Sequence, residues 1–235
     1  MKGVKTILFD LDGTVYQNNC FHRSYLSLLV RDTPYAPWEH LLIALADAIL
    51  AGKFIPMNQF YRAGIKPVNS MDDAAASLQA GALKDLTFRE AYKSPLPDVH
   101  YLGDAWAVVS LLAQTLHISR EAQDTAFQEV RRRMLHEIVP DAGLIEAITA
   151  LKDRYVTILL SNSPQNTAEA FIRRLGLQGA FSYIGYGSGK PYGLLSCLER
   201  FVPDVLDRPR ALLSIGDHVF NEIENVRLLG GRTLW

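Results

Sequence analysis

Residues 5–16 of this 235-residue chain, KTILFDLDGTVY, carry its clearest signal of fold and function. The four residues after its lysine are apolar or β-branched, which is typical of a buried strand in a parallel sheet. Two acids, Asp10 and Asp12, follow at once, with Gly13 and Thr14 behind them. A strand that only had to end could use Asn-Gly or Pro, so the two acids indicate chemistry at the end of this strand.

Further strand patterns occur in the second half of the chain. The clearest are YVTILL at 155–160 and ALLSI at 211–215, and FSYIGYG at 181–187 and the final RTLW are weaker. Helical patterns lie between and after them, at 144–153, 166–175, 191–201 and 221–229. Strands that alternate with helices predict an α/β fold built on a doubly wound parallel sheet.

More than a hundred residues without a clear strand pattern separate the first strand from the second. Helical patterns recur there, near 38–51, 71–80, 104–117 and 119–138. Such a segment is too long for a loop. We therefore predict a core formed by residues 1–15 and 140–235, with an all-helical domain inserted at 16–139. Within it, the consecutive arginines 131–133 favour a solvent-exposed helix face.

Composition narrows the class of protein. The formal net charge is −1 and 21% of the residues are charged, so no overall field attracts nucleic acid or an anionic membrane. The longest apolar stretches are too short to span a bilayer. The chain has two cysteines, Cys20 and Cys197, which are not spaced as zinc ligands and are too few for a disulfide framework. We expect a soluble, cytoplasmic protein without nucleic-acid or membrane partners, and the sequence leaves its oligomeric state undecided.

Polar residues follow three of the predicted strands. Asp10 and Asp12 end the first, Ser161 and Asn162 end the second, and Asp217 ends the third. Parallel strands present their carboxyl ends at one edge of the sheet, which is where open α/β sheets bind ligands. We therefore expect these side chains to form one site.

Each residue type suits phosphoryl transfer. Asp10 can act as a covalent nucleophile, and a proton on Asp12 can serve the leaving oxygen. Gly13 lets backbone amides approach an anion, and the Thr14 hydroxyl adds a donor. Ser161 and Asn162 can offer a hydroxyl and amides to the phosphoryl oxygens.

Positive charge must offset repulsion between an anionic nucleophile and a phosphate, which is about 4 kcal/mol per charge pair at 4 Å with an effective dielectric near 20. Asp217 can join Asp10 in holding a hard cation such as Mg²⁺, and Glu222 can support that ion through water. Lys190, in GSGKP, can pair with both the phosphate and the nucleophile.

Simpler interpretations exist for each residue taken alone. The first two acids could cap a strand, and the Ser161–Asn162 pair could cap a helix. Lys190 could be an exposed loop lysine, and Glu222 could be a first-turn acid favoured by the helix dipole. Their common order along the chain favours the site over these alternatives.

Four motifs in order carry a family resemblance: Asp-x-Asp-Gly-Thr at 10–14, Ser-Asn at 161–162, Lys-Pro at 190–191, and Gly-Asp with a later Glu at 216–222. With them, the chain resembles the phosphatases of the haloacid dehalogenase superfamily. The resemblance implies a Rossmann-like core, and the insertion sits where the family carries a helical cap. Glu222 replaces a commoner Asp, and His218 replaces a small hydroxyl residue.

The resemblance also implies roles for individual residues. Asp10 would be the nucleophile and Asp12 the general acid and base, with phosphate contacts from Ser161 and Lys190. Asp10, the backbone carbonyl of Asp12 and Asp217 would hold Mg²⁺. Dehalogenases of the superfamily lack an acid at the position of Asp12, which favours a phosphatase.

The predicted activity is therefore Mg²⁺-dependent hydrolysis of a small-molecule phosphomonoester through an aspartyl-phosphate. Two alternatives use the same residues. One is a phosphotransferase or mutase that passes the phosphoryl group to a sugar hydroxyl. The other is a regulatory module that binds phosphate without turnover.

Overall fold

The computed structural model describes residues 2–17 and 21–235. The chain divides into two compact units. We call Met1–Asn18 with Leu135–Trp235 the core unit, and Asn19–Met134 the inserted unit. The boundaries predicted from sequence, after residues 15 and 139, lie three and five residues from those of the compact units, which fall after residues 18 and 134.

The helices and strands occur largely where the sequence predicts them. In chain order the described elements are β1 (Thr6–Phe9), α1 (Phe21–Val30), a 3₁₀ turn (Ala36–Trp38), α2 (Glu39–Leu50), β2 (Phe60–Arg62), α3 (Met71–Ala80), α4 (Phe88–Ala91), β3 (Val99–Tyr101), α5 (Ala105–Thr115), α6 (Arg120–Glu137), α7 (Ala142–Leu151), β4 (Val156–Leu160), α8 (Gln165–Arg174), β5 (Tyr183–Gly185), α9 (Leu194–Phe201), α10 (Asp204–Asp207), a second 3₁₀ turn (Pro209–Ala211), β6 (Leu212–Ile215), a π-helical turn (Val219–Ile223), α11 (Glu224–Leu229) and β7 (Arg232–Leu234).

The core unit is built on a parallel sheet with strand order β5-β4-β1-β6-β7. The central strand β1 is buried along its whole length, and Thr6 pairs with Val156 on one side and Leu212 on the other. Apolar side chains of the strands and helices form the core around it: Leu8, Ile158, Leu160, Leu194, Leu198, Val205, Leu212 and Val226. The predicted α/β class with a parallel sheet is confirmed.

The inserted unit is mainly helical, but it is not all-helical as predicted. Strands β2 and β3 form a two-stranded antiparallel sheet in which Phe60 pairs with Tyr101. Each strand has three residues, and 36 residues separate their ends. Three residues are too few to establish a period-two pattern, so these segments carry no strand signal of their own.

One arginine of the predicted exposed face is buried. Arg131 is 2% exposed, and its guanidinium lies over the rings of Trp106 and Phe127, 5.5 and 6.0 Å from their centroids. Arg132 is exposed and Arg133 is half-buried, and both pair with Glu129. The expectation of a solvated face was therefore wrong for Arg131, because consecutive helical residues point in different directions and one of them reaches the aromatic cluster.

Two further findings concern membrane-spanning helices and the cysteines. Within residues 2–17 and 21–235, no helix is long and apolar enough to cross a membrane. Cys197 is a free thiol, and Cys20 lies outside the described residues.

Candidate active site

The site begins where β1 ends. The Asp10 backbone N–H donates to the Ile215 carbonyl at 3.0 Å, which continues the pairing with β6 by one residue. This contact fixes the backbone of Asp10 at the carboxyl edge of the sheet. Its side chain is buried, and its Oδ1 atom lies 2.5 Å from the Lys190 Nζ atom.

Lys190 joins three segments of the core unit. Besides Asp10, its ammonium contacts Glu222 Oε1 at 2.7 Å and donates to the Leu160 carbonyl at 2.9 Å. The lysine side chain is only 1% exposed. A buried ammonium needs such partners, because desolvation of an unpaired charge costs several kcal/mol. Lys190 is therefore a buried residue in contact with the predicted nucleophile, and the exposed-lysine alternative is excluded.

Burial and charge shift the protonation of this cluster. Burial raises the pKa of the Asp10 carboxyl, which Lys190 partly opposes, and burial raises the pKa of Glu222 well above its usual range. For Lys190, burial disfavours the charged form, but attraction to Asp10 and Glu222 outweighs it and raises the pKa. The two acids share one ammonium, and burial makes the neutral form of each carboxyl more favourable than it is in water.

Asn162 holds the loop that carries Lys190. Its side-chain Oδ1 accepts from the Lys190 backbone N–H at 2.7 Å, and its Nδ2 donates to the Lys190 carbonyl at 3.0 Å. The Ser188 hydroxyl also donates to Asn162 Oδ1, at 3.1 Å. These contacts give Asn162 a structural role in placing Lys190, and phosphate binding by Asn162 stays a prediction.

Asp12 is held by two hydroxyl groups. The Tyr16 hydroxyl donates to Asp12 Oδ1, and the Ser163 hydroxyl donates to Asp12 Oδ2 at 3.3 Å. Tyr16 is buried, and its ring packs against Phe171 of α8 with centroids 5.0 Å apart. Neither Tyr16 nor Ser163 was predicted from the sequence. The available signals were the spacing of four residues from Asp12 to Tyr16 and the position of Ser163 just beyond β4.

The predicted phosphate-binding hydroxyls lie beside these residues. Ser161 is fully buried at the end of β4, and its Oγ accepts the Ser163 backbone N–H at 3.1 Å. Thr14 Oγ1 is buried and has no hydrogen-bond partner among the described residues. A buried hydroxyl without a partner is costly unless a ligand satisfies it. The Thr14 hydroxyl can therefore donate a hydrogen bond to a phosphoryl oxygen.

Asp217 lies close to the turn after the first strand. Gly13 has a φ of +88°, and a Cβ atom added to it would collide with the Asp217 carboxylate. The indole of Trp235 donates to the Asp217 carbonyl at 2.8 Å. A glycine is thus required at position 13 both for its backbone angle and for the approach of Asp217.

The π-helical turn places Glu222. His218 caps this turn, since its Nδ1 accepts the Asn221 backbone N–H at 3.2 Å, and Glu222 follows inside it. Gly216 makes room: a Cβ atom there would lie 2.9 Å from the Glu222 Cβ and Cγ atoms. Glu222 Oε1 contacts Lys190, whereas its buried Oε2 has no hydrogen-bond partner among the described residues. Glu222 is therefore a buried partner of Lys190 and not simply an acid in the first turn of a helix.

A substitution at Gly13 tests the packing of this turn. Gly13→Ala should lower the free energy of unfolding by about 1–3 kcal/mol through strain at positive φ, and further through the collision with Asp217. Gly176→Ala is the matched control, because Gly176 has a φ of +73° with nothing within 4 Å of an added Cβ. Urea unfolding of both variants measures the difference. Equal losses would contradict a close approach of Asp217 to Gly13.

Two observations concern the predicted metal site. Among residues 2–17 and 21–235, no three His, Cys, Asp or Glu side chains form a metal-binding group by themselves. The predicted set is different, since it takes two carboxylates, of Asp10 and Asp217, and one backbone carbonyl. The chemistry of that set fits a hard divalent cation, because all of its donors are oxygens.

Comparison with known proteins supplies the family. The model of the haloacid dehalogenase-like hydrolases matches residues 4–224. No curated protein sequence matches the chain. Among solved structures, it is similar to a candidate HAD-hydrolase, YfnB, from Bacillus subtilis bound to magnesium. That match has a TM-score of 0.51 and 18% identity, and it covers 99% of this chain and 88% of the other.

Two further structures show weaker similarity. A candidate beta-phosphoglucomutase from Thermotoga maritima matches with a TM-score of 0.49 and 18% identity over 98% of this chain and 84% of that one. L-2-haloacid dehalogenase from Xanthobacter autotrophicus matches with a TM-score of 0.47 and 14% identity over 98% and 76%. The family model, which spans nearly the whole chain, carries the conclusion: this protein belongs to the haloacid dehalogenase-like hydrolases.

Proposed function

We propose that this hydrolase cleaves a small-molecule phosphomonoester through an aspartyl-phosphate on Asp10. One observation carries the proposal: the Asp10 carboxylate lies 2.5 Å from Lys190, and a second acid, Asp12, follows two residues later with its own hydroxyl partners. The first acid is paired with a cation that can offset repulsion from a phosphate. The second is positioned separately and is available for proton transfer.

In the first step, a carboxylate oxygen of Asp10 attacks phosphorus and the bond from phosphorus to the ester oxygen breaks. Asp12 gives its proton to that departing oxygen, which leaves as an alcohol. The Lys190 ammonium stabilises negative charge on the transferring phosphoryl group, and Ser161 and Thr14 donate to its oxygens. Asp12 is then ionised.

In the second step, water attacks the phosphorus of the aspartyl-phosphate, and Asp12 accepts a proton from that water. The bond from Asp10 to phosphorus breaks, so inorganic phosphate leaves and the Asp10 carboxylate is restored. Asp12 is protonated again and ready for the next ester. Every proton that Asp12 gives in the first step is thus recovered in the second.

The leaving group favours a phosphatase over a dehalogenase. A halide is a stable anion and departs without a proton, whereas an alkoxide needs one. An acid that is held in place by two hydroxyl groups beside the nucleophile therefore supports cleavage of an oxygen ester. This preference rests on Asp12 and does not depend on the identity of the alcohol.

We further propose Mg²⁺ as the cofactor. Asp10, the backbone carbonyl of Asp12 and Asp217 would hold it, and Glu222 would support it indirectly through its unpartnered Oε2 atom. When bound, the ion would neutralise charge on the phosphoryl oxygens and lower the repulsion that Asp10 meets. Four carboxyl groups, of Asp10, Asp12, Asp217 and Glu222, occur in this region with one lysine, which supports a divalent cation as the balancing charge.

Metal dependence can be measured in two ways. We expect EDTA to reduce phosphate release to background and added Mg²⁺ to restore it. Because the Trp235 indole bonds the Asp217 carbonyl, Mg²⁺ should also produce a saturable change in tryptophan fluorescence in the absence of substrate. Trp235→Phe is the control and should remove that change, since it removes the indole that bonds the Asp217 carbonyl. Undiminished turnover in EDTA would contradict the proposal.

A screen of metabolite phosphates, read as released inorganic phosphate with Mg²⁺ present, tests the activity itself. Release from at least one ester supports hydrolysis, and no release across the screen would favour the non-catalytic alternative. Adding a sugar as acceptor separates hydrolysis from transfer. A phosphorylated sugar formed in place of inorganic phosphate would identify a phosphotransferase.

A further inference from the structure

A tight turn brings Tyr16 back onto Asp12. The Gly13 N–H donates to the Tyr16 carbonyl at 3.0 Å, and the Val15 N–H donates to the Leu11 carbonyl at 3.1 Å. The positive φ of Gly13 allows this reversal. As a result, the Tyr16 hydroxyl reaches Asp12 Oδ1 from four residues further along the chain.

The two oxygens of Asp12 have different partners. Tyr16 binds Oδ1, and Ser163, from the segment after β4, binds Oδ2 at 3.3 Å. Contacts on both oxygens fix the plane of the carboxyl group as well as its position. A serine hydroxyl can donate or accept, so Ser163 can stay bonded to Oδ2 with or without a proton on that oxygen.

Both hydroxyl groups are themselves held in place. The ring of Tyr16 is buried and packs against Phe171, with an angle of 31° between the rings. The Ser163 N–H donates to Ser161 Oγ at 3.1 Å, and the Ser163 carbonyl accepts the Gly187 N–H at 2.9 Å. Groups that are locked by packing and hydrogen bonds orient a reacting side chain more closely than mobile ones do.

From this geometry we propose that Tyr16 and Ser163 are positioning residues, which hold the Asp12 carboxyl in the orientation that delivers its proton to the ester oxygen. The inference rests on the proposed phosphatase function and adds a specificity to it. Esters whose leaving group must be protonated, such as alkyl phosphates, depend on this orientation. Aryl phosphates with an acidic phenol depend on it much less.

Tyr16→Phe removes the hydroxyl and keeps the ring against Phe171. With an alkyl phosphate found in the screen, kcat should fall about 10- to 100-fold with little change in KM, since misplacing an acid costs rate and not binding. With p-nitrophenyl phosphate, kcat should fall less than about threefold, because p-nitrophenolate leaves without a proton. Ser163→Ala should produce the same selective loss and does not disturb the tyrosine ring.

Two controls separate positioning from stability. Tyr61→Phe makes the same chemical change in the inserted unit, where the buried Tyr61 hydroxyl donates to the Pro56 carbonyl at 2.9 Å. It should leave the ratio of the two rates unchanged. In an Asp12→Asn background, Tyr16→Phe should have no further effect on the alkyl ester, since the acid that it positions is gone.

The possible results have distinct meanings. Equal losses on the two esters in both Tyr16→Phe and Ser163→Ala would overturn the positioning role while leaving the phosphatase activity established. A full effect of Tyr16→Phe in the Asp12→Asn background would overturn it as well. If the unaltered protein hydrolysed neither ester, the proposed function would fail and this inference with it.

Discussion

Replacement of Asp10 by asparagine is expected to reduce turnover of any ester that the protein hydrolyses by on the order of 10⁴-fold or more, the scale seen when a covalent nucleophile is removed. Asparagine has nearly the same shape but lacks the carboxylate that would attack phosphorus. Its Oδ1 can still accept a hydrogen bond from Lys190, which lies 2.5 Å from the aspartate. The loss should therefore be chemical and not structural.

The stability of that variant provides a check. Burial raises the pKa of Asp10, which means that its charged form is unfavourable there, and Lys190 keeps Glu222 as a partner after the change. We expect the urea midpoint of Asp10→Asn to equal or exceed that of the unaltered protein. Asp153→Asn, at an exposed position, is the control for the loss of one carboxylate. Substantial remaining turnover by a folded Asp10→Asn protein would refute the nucleophile assignment.

The second large effect concerns stability as well as rate. Lys190→Met should lower the free energy of unfolding by about 3–5 kcal/mol, the range observed when one partner of a buried ion pair is removed. Methionine fills similar space but leaves the carboxylates of Asp10 and Glu222 buried without their cation. It also leaves the Leu160 carbonyl without its donor. Phosphate release should fall with it, because the ammonium that would stabilise the transferring phosphoryl group is gone.

Two comparisons make this result specific to the buried charges. Lys152→Met is the matched control, since the exposed Lys152 also donates to one carbonyl, that of Gly179, at 2.7 Å. It should cost less than about 1 kcal/mol, as surface contacts of this kind usually do. Adding Glu222→Gln to Lys190→Met should recover part of the lost stability by removing one unpaired carboxylate. A cost at Lys190 no larger than at Lys152 would contradict the buried ion-pair cluster.

The three central strands of the parallel sheet could be predicted from sequence because they are buried along almost their whole length. A continuous apolar run such as 155–160, flanked by helical patterns, is typical of a strand of this kind, and β4 is observed at Val156–Leu160. The strands of the inserted unit could not be predicted. Phe60–Arg62 and Val99–Tyr101 are stabilised by pairing across a long stretch of chain, and short segments carry no periodicity of their own.

The candidate site, too, could be predicted only in part from the sequence. Residue types at strand ends pointed to Asp10, Asp12 and Asp217, because a parallel sheet always brings those ends to one edge. Partners that lie far apart in the chain could not be foreseen. Lys190 and Glu222 are 32 residues apart, and Ser163 and Asp12 are 151 apart, yet each pair is in contact. Arg131 is likewise expected at the surface from sequence alone, and only the structure shows that its guanidinium lies over the rings of Trp106 and Phe127.

Local patterns of apolar and polar residues were enough to predict the fold class, the polar residues at the strand ends and the acids that follow the first strand. The contacts between distant residues became known only from the folded chain: Lys190 bridges two buried acids, Asn162 holds the loop of that lysine, and Tyr16 and Ser163 hold Asp12. A hydrogen bond or ion pair forms only when its two groups lie within a few ångströms of each other. Those distances are set by the packing of the whole core unit and not by any one segment.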